Sequence, residues 1–85
     1  MPNIIIYTKD YCPYCVKAKN LLQLKGQTVT EIDITNDPET AVKMVEKAGG
    51  RKTVPQIFIN DKHIGGCDDL YALNDKGELD KLLAN

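Results

Sequence analysis

Apolar residues run along this chain in short blocks whose period changes from one block to the next. Ile4-Ile5-Ile6-Tyr7-Thr8 is an unbroken, largely β-branched run, which predicts a strand buried on both faces and therefore central in its sheet. After Cys12 the period lengthens. Ala18, Leu21 and Leu22 recur at helical spacing up to Gly26, a C-cap, and Pro13 takes the first helical position, where its missing N–H would have been unpaired anyway. Thr28 to Ile34 alternates and predicts a strand parallel to the first. Asp37 as cap and Pro38 at the first turn open a second helix with Ala41, Met44, Val45 and Ala48 as its inner face, ended by Gly49-Gly50. Val54 to Ile59 and Lys62 to Ile64 flank Asn60-Asp61, a pair that tolerates positive φ, and together predict a hairpin that Gly65-Gly66 breaks. Cys67-Asp68-Asp69-Leu70 opens a last helical region, acidic where the helix dipole is positive. Leu70, Leu73, Leu79, Leu82 and Leu83 close the core there, and Gly77 divides the region in two.

Strand, helix, strand, helix, hairpin, helix implies an α/β chain: a right-handed crossover between parallel strands, then an antiparallel addition, giving a four-stranded mixed sheet with helices on both faces. A length of 85 residues suits one domain, 1–85, since smaller units bury too little apolar surface to fold unaided. Hydrophobic residues at 42% and charged residues at 27% are ordinary for a globular chain and argue against disorder. A net charge of -1, with both signs interspersed, offers nothing to drive counterion release, so nucleic acid is not an expected partner. There is no apolar run of about 18 residues to span a bilayer, and Met1-Pro2-Asn3 leads into a strand without a basic leader. The expectation is a soluble, cytoplasmic monomer.

Three cysteines cannot all pair within the chain, and in a reducing compartment such residues are more often catalytic or metal-bound than structural. A disulfide is attacked by a thiolate, so a catalytic cysteine needs something to lower its pKa from about 8.5. Cys12 lies where a strand ends and a helix begins, so unpaired N–H groups and the dipole favour its negative charge. Cys15 is one turn deeper, at a Cα separation of roughly 5 to 6 Å that a disulfide bridges without backbone movement. Exposure then assigns attack to Cys12 and resolution of the mixed disulfide to Cys15.

Tyr7-Thr8-Lys9, Cys12-Pro13-Tyr14-Cys15, Thr53-Val54-Pro55 and Gly65-Gly66-Cys67-Asp68-Asp69-Leu70 together resemble the dithiol glutaredoxins, most closely the small bacterial glutaredoxin 3 type, over nearly the whole chain. The resemblance implies a thioredoxin fold with a cis peptide before Pro55. Glutathione is the implied co-substrate, and no tightly bound cofactor is implied. Val54 would pair its backbone with glutathione as an extended peptide. Thr53 and Pro55 would line the groove, Tyr14 would flank it, and Lys9 would meet the glycyl carboxylate. Gly66, Cys67 and Asp68 would hold the γ-glutamyl end, with backbone N–H groups on its carboxylate and the Asp68 side chain near its ammonium group. Arg51 and Lys52 lie within reach of the glycyl carboxylate in sequence, but sequence alone does not place them. The implied substrates are glutathionylated or disulfide-containing proteins, ribonucleotide reductase being one of the family's.

Plainer readings stand beside these. Cys12, Cys15, His63 and Cys67 have the count of a Cys3His zinc site but not its two closely spaced ligand pairs, and His63 reads more simply as a hairpin surface residue. Cys67 is either a third redox thiol or a small residue at a helix start. Lys9 is either a site cation or an ordinary solvated lysine. Asp69 reads as a helix-start residue, and Tyr71 and Leu73 as packing. A rival from another class is a dimer holding an iron-sulfur cluster through Cys12 and glutathione. Pro13 speaks against it, because cluster-binding relatives typically carry Gly there. A nearer competitor is a thioredoxin-like enzyme served by a flavoprotein reductase instead of glutathione; the Cys12-Pro13-Tyr14-Cys15 sequence and the absence of Trp before Cys12 lean away from it.

Overall fold

A computed structural model describes residues 2–84, and its elements follow the predicted order. They are β1 (Ile4–Thr8), α1 (Pro13–Leu24), β2 (Thr30–Asp33), α2 (Pro38–Lys47), β3 (Gln56–Ile59), β4 (Lys62–Gly65), α3 (Cys67–Asp75) and α4 (Glu78–Leu83). The sheet runs β2-β1-β3-β4, with β1 parallel to β2 and antiparallel to β3. The unbroken apolar run of β1 is thus explained: it is an inner strand with a core on each face.

Alternation along the strands separates the two cores. On one face Ile4, Ile6, Ile57 and Ile59 meet Ala18, Leu21 and Leu22 of α1, Cys67 and Leu70 of α3, and Leu79 and Leu83 of α4. On the other, Tyr7 and Phe58 meet Ile34 and Met44, with Ile5, Ile32, Ala41, Val45 and Val54 packed around them. Burying a Leu side chain contributes about 1.5–3 kcal/mol. Leu22, Leu70 and Leu79 are each 0% exposed, so they hold α1, α3 and α4 to the sheet more firmly than any terminal cap. Leu73 is only partly buried, at the edge of this core.

Local signals place the ends of the elements. Asp37 caps α2 by accepting from the Thr40 N–H at 3.1 Å and from the Thr40 hydroxyl at 2.7 Å. Asn60 (φ 51°) and Asp61 (φ 67°) both take the left-handed conformation that a two-residue hairpin turn requires. Three boundaries differ from expectation. β2 is shorter than Thr28 to Ile34 because its ladder on β1 begins with Ile5 opposite Thr30 and ends with Thr8 opposite Asp33. β3 begins at Gln56 rather than Val54, since Pro55 has no N–H to give to a ladder. Gly65 does not break the hairpin. It continues β4 opposite Ile57 across a register shift, at φ 120°, and the strand stops only at Gly66. Among the described residues no helix is long and apolar enough to cross a membrane.

Candidate active site

Cys12 is the N-cap of α1, with Pro13 at its first turn, and its Sγ accepts the Cys15 N–H at 3.1 Å. The nucleophile candidate therefore occupies the position at which a helix end offers unpaired donors. Once reduced, its sulfur has a ready partner for negative charge. Cys15 is buried on the inner face of the same helix. The two sulfurs are joined in a disulfide with the Cα atoms 5.2 Å apart, as the spacing predicts. The difference in burial leaves Cys12 as the sulfur that a second molecule reaches.

The chain reverses at Tyr11, whose φ of 54° is left-handed for a non-glycine residue. This leaves the Tyr11 side chain wholly exposed. Tyr14 and Val16 are also exposed, so apolar surface surrounds the cysteine mouth.

Facing Cys12 is the loop between α2 and β3. The Val54-Pro55 peptide is cis, and the Val54 carbonyl oxygen lies 3.9 Å from Cys12 Sγ. Tyr14, Arg51, Thr53, Val54, Pro55, Gly66, Cys67, Asp68 and Asp69 line one cavity of about 290 Å³. Seven of the eight positions singled out from sequence as substrate-binding are among them. The eighth, Lys9, instead lines a neighbouring cavity of about 390 Å³ together with Cys12, Cys15, Lys19 and Glu31. There the buried Thr8 hydroxyl donates to Glu31 at 2.6 Å and Lys19 pairs with Glu31 at 3.0 Å, and these contacts hold the Glu31 carboxyl below its usual range. A larger cavity of about 650 Å³, bordered by β4, α3 and α4, is lined by neither redox cysteine, whereas Cys12 and Cys15 line the 390 Å³ cavity and Cys12 meets the 290 Å³ one through Val54.

Two polar links, absent from the sequence reading, hold the cavity walls. Gln56, wholly buried, donates its amide to the Thr53 carbonyl at 2.9 Å and accepts from His63 Nε2 at 2.7 Å. The Thr53 carbonyl can only accept, and that sets which way the Gln56 amide points. The only signal for this was a polar residue inside an apolar strand run. The second link is Asp69, whose Oδ2 accepts the Gly66 N–H at 2.8 Å and pairs with Arg51 at 2.9 Å. These bonds, the one from Gly66 first, keep the Asp69 carboxyl below its ordinary value.

Asp69 is thus the helix-start residue that the sequence suggested. His63 is half-buried against Phe58, at a 5.0 Å ring separation, and so is not a plain surface residue. Cys67, at the first turn of α3, is buried, and burial pushes its thiol up, which fits packing better than redox exchange. The four residues of the zinc alternative are therefore engaged separately. Among the described residues no cluster of three or more His, Cys, Asp or Glu side chains is placed to hold a metal ion.

Residues 4–64 match the profile of the Glutaredoxin family. The chain is 53% identical to glutaredoxin 3 of Escherichia coli over 83 residues, covering 98% of this chain and 99% of that protein. A glutaredoxin from Brucella melitensis, solved in solution, is 56% identical with a TM-score of 0.84, over 95% of this chain and 87% of that one. A buckwheat glutaredoxin crystallised in complex with glutathione is 29% identical with a TM-score of 0.88, over 96% and 76%. The identity and the fold shared with these relatives, together with a bonded Cys12–Cys15 pair at a helix mouth, give the conclusion: the chain belongs to the glutaredoxin family and is a thiol-disulfide oxidoreductase of the thioredoxin fold.

Proposed function

We propose that the protein, acting as a single cytoplasmic domain and a monomer, uses glutathione to reduce mixed disulfides between glutathione and proteins, and some protein disulfides. The observation that carries this reading is the cavity shared by Tyr14, Thr53, Val54, Pro55, Gly66, Cys67 and Asp68, whose Val54 carbonyl lies beside Cys12 Sγ. It joins a strand-like backbone edge to a helix N-terminus, a combination suited to an extended, carboxylate-bearing peptide. That the buckwheat relative holds glutathione supports the same assignment.

The reaction follows as two exchanges. Cys12 thiolate attacks the glutathionyl sulfur of the substrate, the protein thiolate leaves, and Cys12 carries the glutathionyl group. A second glutathione thiolate attacks that group, glutathione disulfide leaves, and Cys12 is again a thiolate. Cys15 has no part in this cycle. For a protein disulfide, Cys12 attacks first and Cys15 then displaces the bound substrate sulfur, closing the disulfide seen in the structure. Two glutathiones reopen it. Lys9, exposed beside Cys12, is assigned to the glycyl carboxylate, and the exposed Tyr11, Tyr14 and Val16 to the surface that meets protein substrates such as ribonucleotide reductase.

The test is release of glutathione from a glutathionylated peptide by Cys12→Ser and Cys15→Ser. Cys12→Ser is expected to abolish it, whereas Cys15→Ser retains it and loses only the reduction of protein disulfides. Activity in Cys12→Ser together with its loss in Cys15→Ser would refute the assignment.

A further inference from the structure

Arg51 takes no part in the chemistry above, yet its guanidinium lies where the two walls of the groove meet. Its Nη1 is 2.9 Å from Asp69 Oδ2, the same oxygen that accepts the Gly66 N–H at 2.8 Å. One carboxylate oxygen thus ties the loop carrying Thr53-Val54-Pro55 to the cap of α3. The backbone is shaped to admit the pair. A Cβ at Gly65 would lie 2.8 Å from Arg51 Nη1, and one at Gly66 would lie 3.5 Å from Arg51 Nη2 and 3.3 Å from the Pro55 carbonyl. The Gly65-Gly66 pair therefore leaves the space that Arg51 and Asp69 fill. Two residues along the same loop, Thr53 is held by Gln56, so the loop is anchored at 51 and again at 53.

We propose that Arg51 is a positioning residue of the groove: acting through Asp69, it fixes Gly66 and the start of α3 relative to Val54-Pro55 and matches that end to the γ-glutamyl carboxylate of glutathione. The proposal rests on the glutathione reading above. Its physical content is charge as much as shape. Without Arg51, Asp69 keeps its bond to Gly66, but its carboxylate then stands unneutralised beside the amides meant for the ligand's own carboxylate. Ligand capture weakens, while the sulfur exchange at Cys12 is untouched.

Single-turnover release of a peptide thiol by the reduced full-length protein separates these effects. One peptide is used as its mixed disulfide with glutathione and, separately, with cysteinylglycine, which lacks the γ-glutamyl group. Arg51→Met is expected to raise the half-saturating concentration of the glutathione disulfide about two- to fivefold, the range of a half-exposed charge pair. Its limiting rate should stay within twofold of the wild type, and the cysteinylglycine disulfide should be unaffected. Arg51→Lys, which keeps the charge and the fold, should fall between wild type and Arg51→Met. Adding Asp69→Asn to Arg51→Met should restore binding, because the exposed negative charge is gone; a purely structural role predicts further loss.

Equal shifts for both disulfides, no shift in Arg51→Met, or a double variant worse than Arg51→Met would overturn the proposal. A wild-type protein that does not distinguish the two disulfides would overturn the glutathione reading and this proposal together.

Discussion

Replacing Gln56 by Leu tests whether one buried amide holds the substrate loop. Gln56 is 0% exposed and makes two short bonds, to the Thr53 carbonyl at 2.9 Å and from His63 Nε2 at 2.7 Å, with a longer contact to the Thr53 hydroxyl at 3.3 Å. Leucine is of similar size, so no large cavity opens and the loss is mainly in hydrogen bonds. A net contribution of about 0.5–1.5 kcal/mol per bond puts the destabilisation at roughly 1–3 kcal/mol. In a domain of this length each kcal/mol lowers Tm by about 4–8 °C, so thermal unfolding followed by circular dichroism should show a drop of roughly 5–20 °C.

Because Thr53 is released, the half-saturating concentration of a glutathionylated peptide should rise while the limiting rate is kept. Gln56→Glu sharpens the test. It can still accept from His63, but at neutral pH it sets a carboxylate against the Thr53 carbonyl, so it should be the less stable of the two at pH 7 and recover on acidification. If Gln56→Leu melts within about 2 °C of the wild type, with peptide binding unchanged, the amide does not hold the loop and the reasoning fails.

Two further outcomes follow from burial. Desolvation, helped by the Arg51 charge, holds His63 below its ordinary value of 6.5. The unfolded chain then takes up this proton at a higher pH than the folded one, so the stability from neutral His63 is present above 6.5 and is lost as pH falls through the lower folded value. His63 is the sole histidine. Melting temperature should therefore decline from pH 7.5 to pH 5.5, and His63→Asn should flatten that slope; an equally steep slope in the variant would assign it elsewhere. Cys67 is 5% exposed with its thiol pushed up by burial, so iodoacetamide should modify Cys12 of the reduced protein at neutral pH and reach Cys67 only on unfolding. Cys67→Ala should keep activity within about twofold and cost roughly 1 kcal/mol. Rapid labelling of native Cys67 would contradict this.

Order and type of the elements were legible in the sequence because their causes are local. A β-branched run makes β1, Pro13 and Asp37 start helices, Asn60-Asp61 makes the turn, and Gly77 separates α3 from α4. The Cys12–Cys15 pair was legible for the same reason: three-residue spacing at a helix mouth is set by helix geometry alone. Strand ends were less legible, since a ladder stops where its partner stops, as β2 does against β1. Three features were decided only by the tertiary structure: the burial of Gln56 and its bonds to Thr53 and His63, the turning of Arg51 onto Asp69 over Gly65-Gly66, and the placing of Lys9 beside the two cysteines, apart from the other candidate substrate-binding positions. Each depends on where a loop lies relative to a helix or strand distant in sequence. A polar side chain's partner is chosen by that packing, because what is buried must be satisfied by whatever the fold brings within about 3 Å.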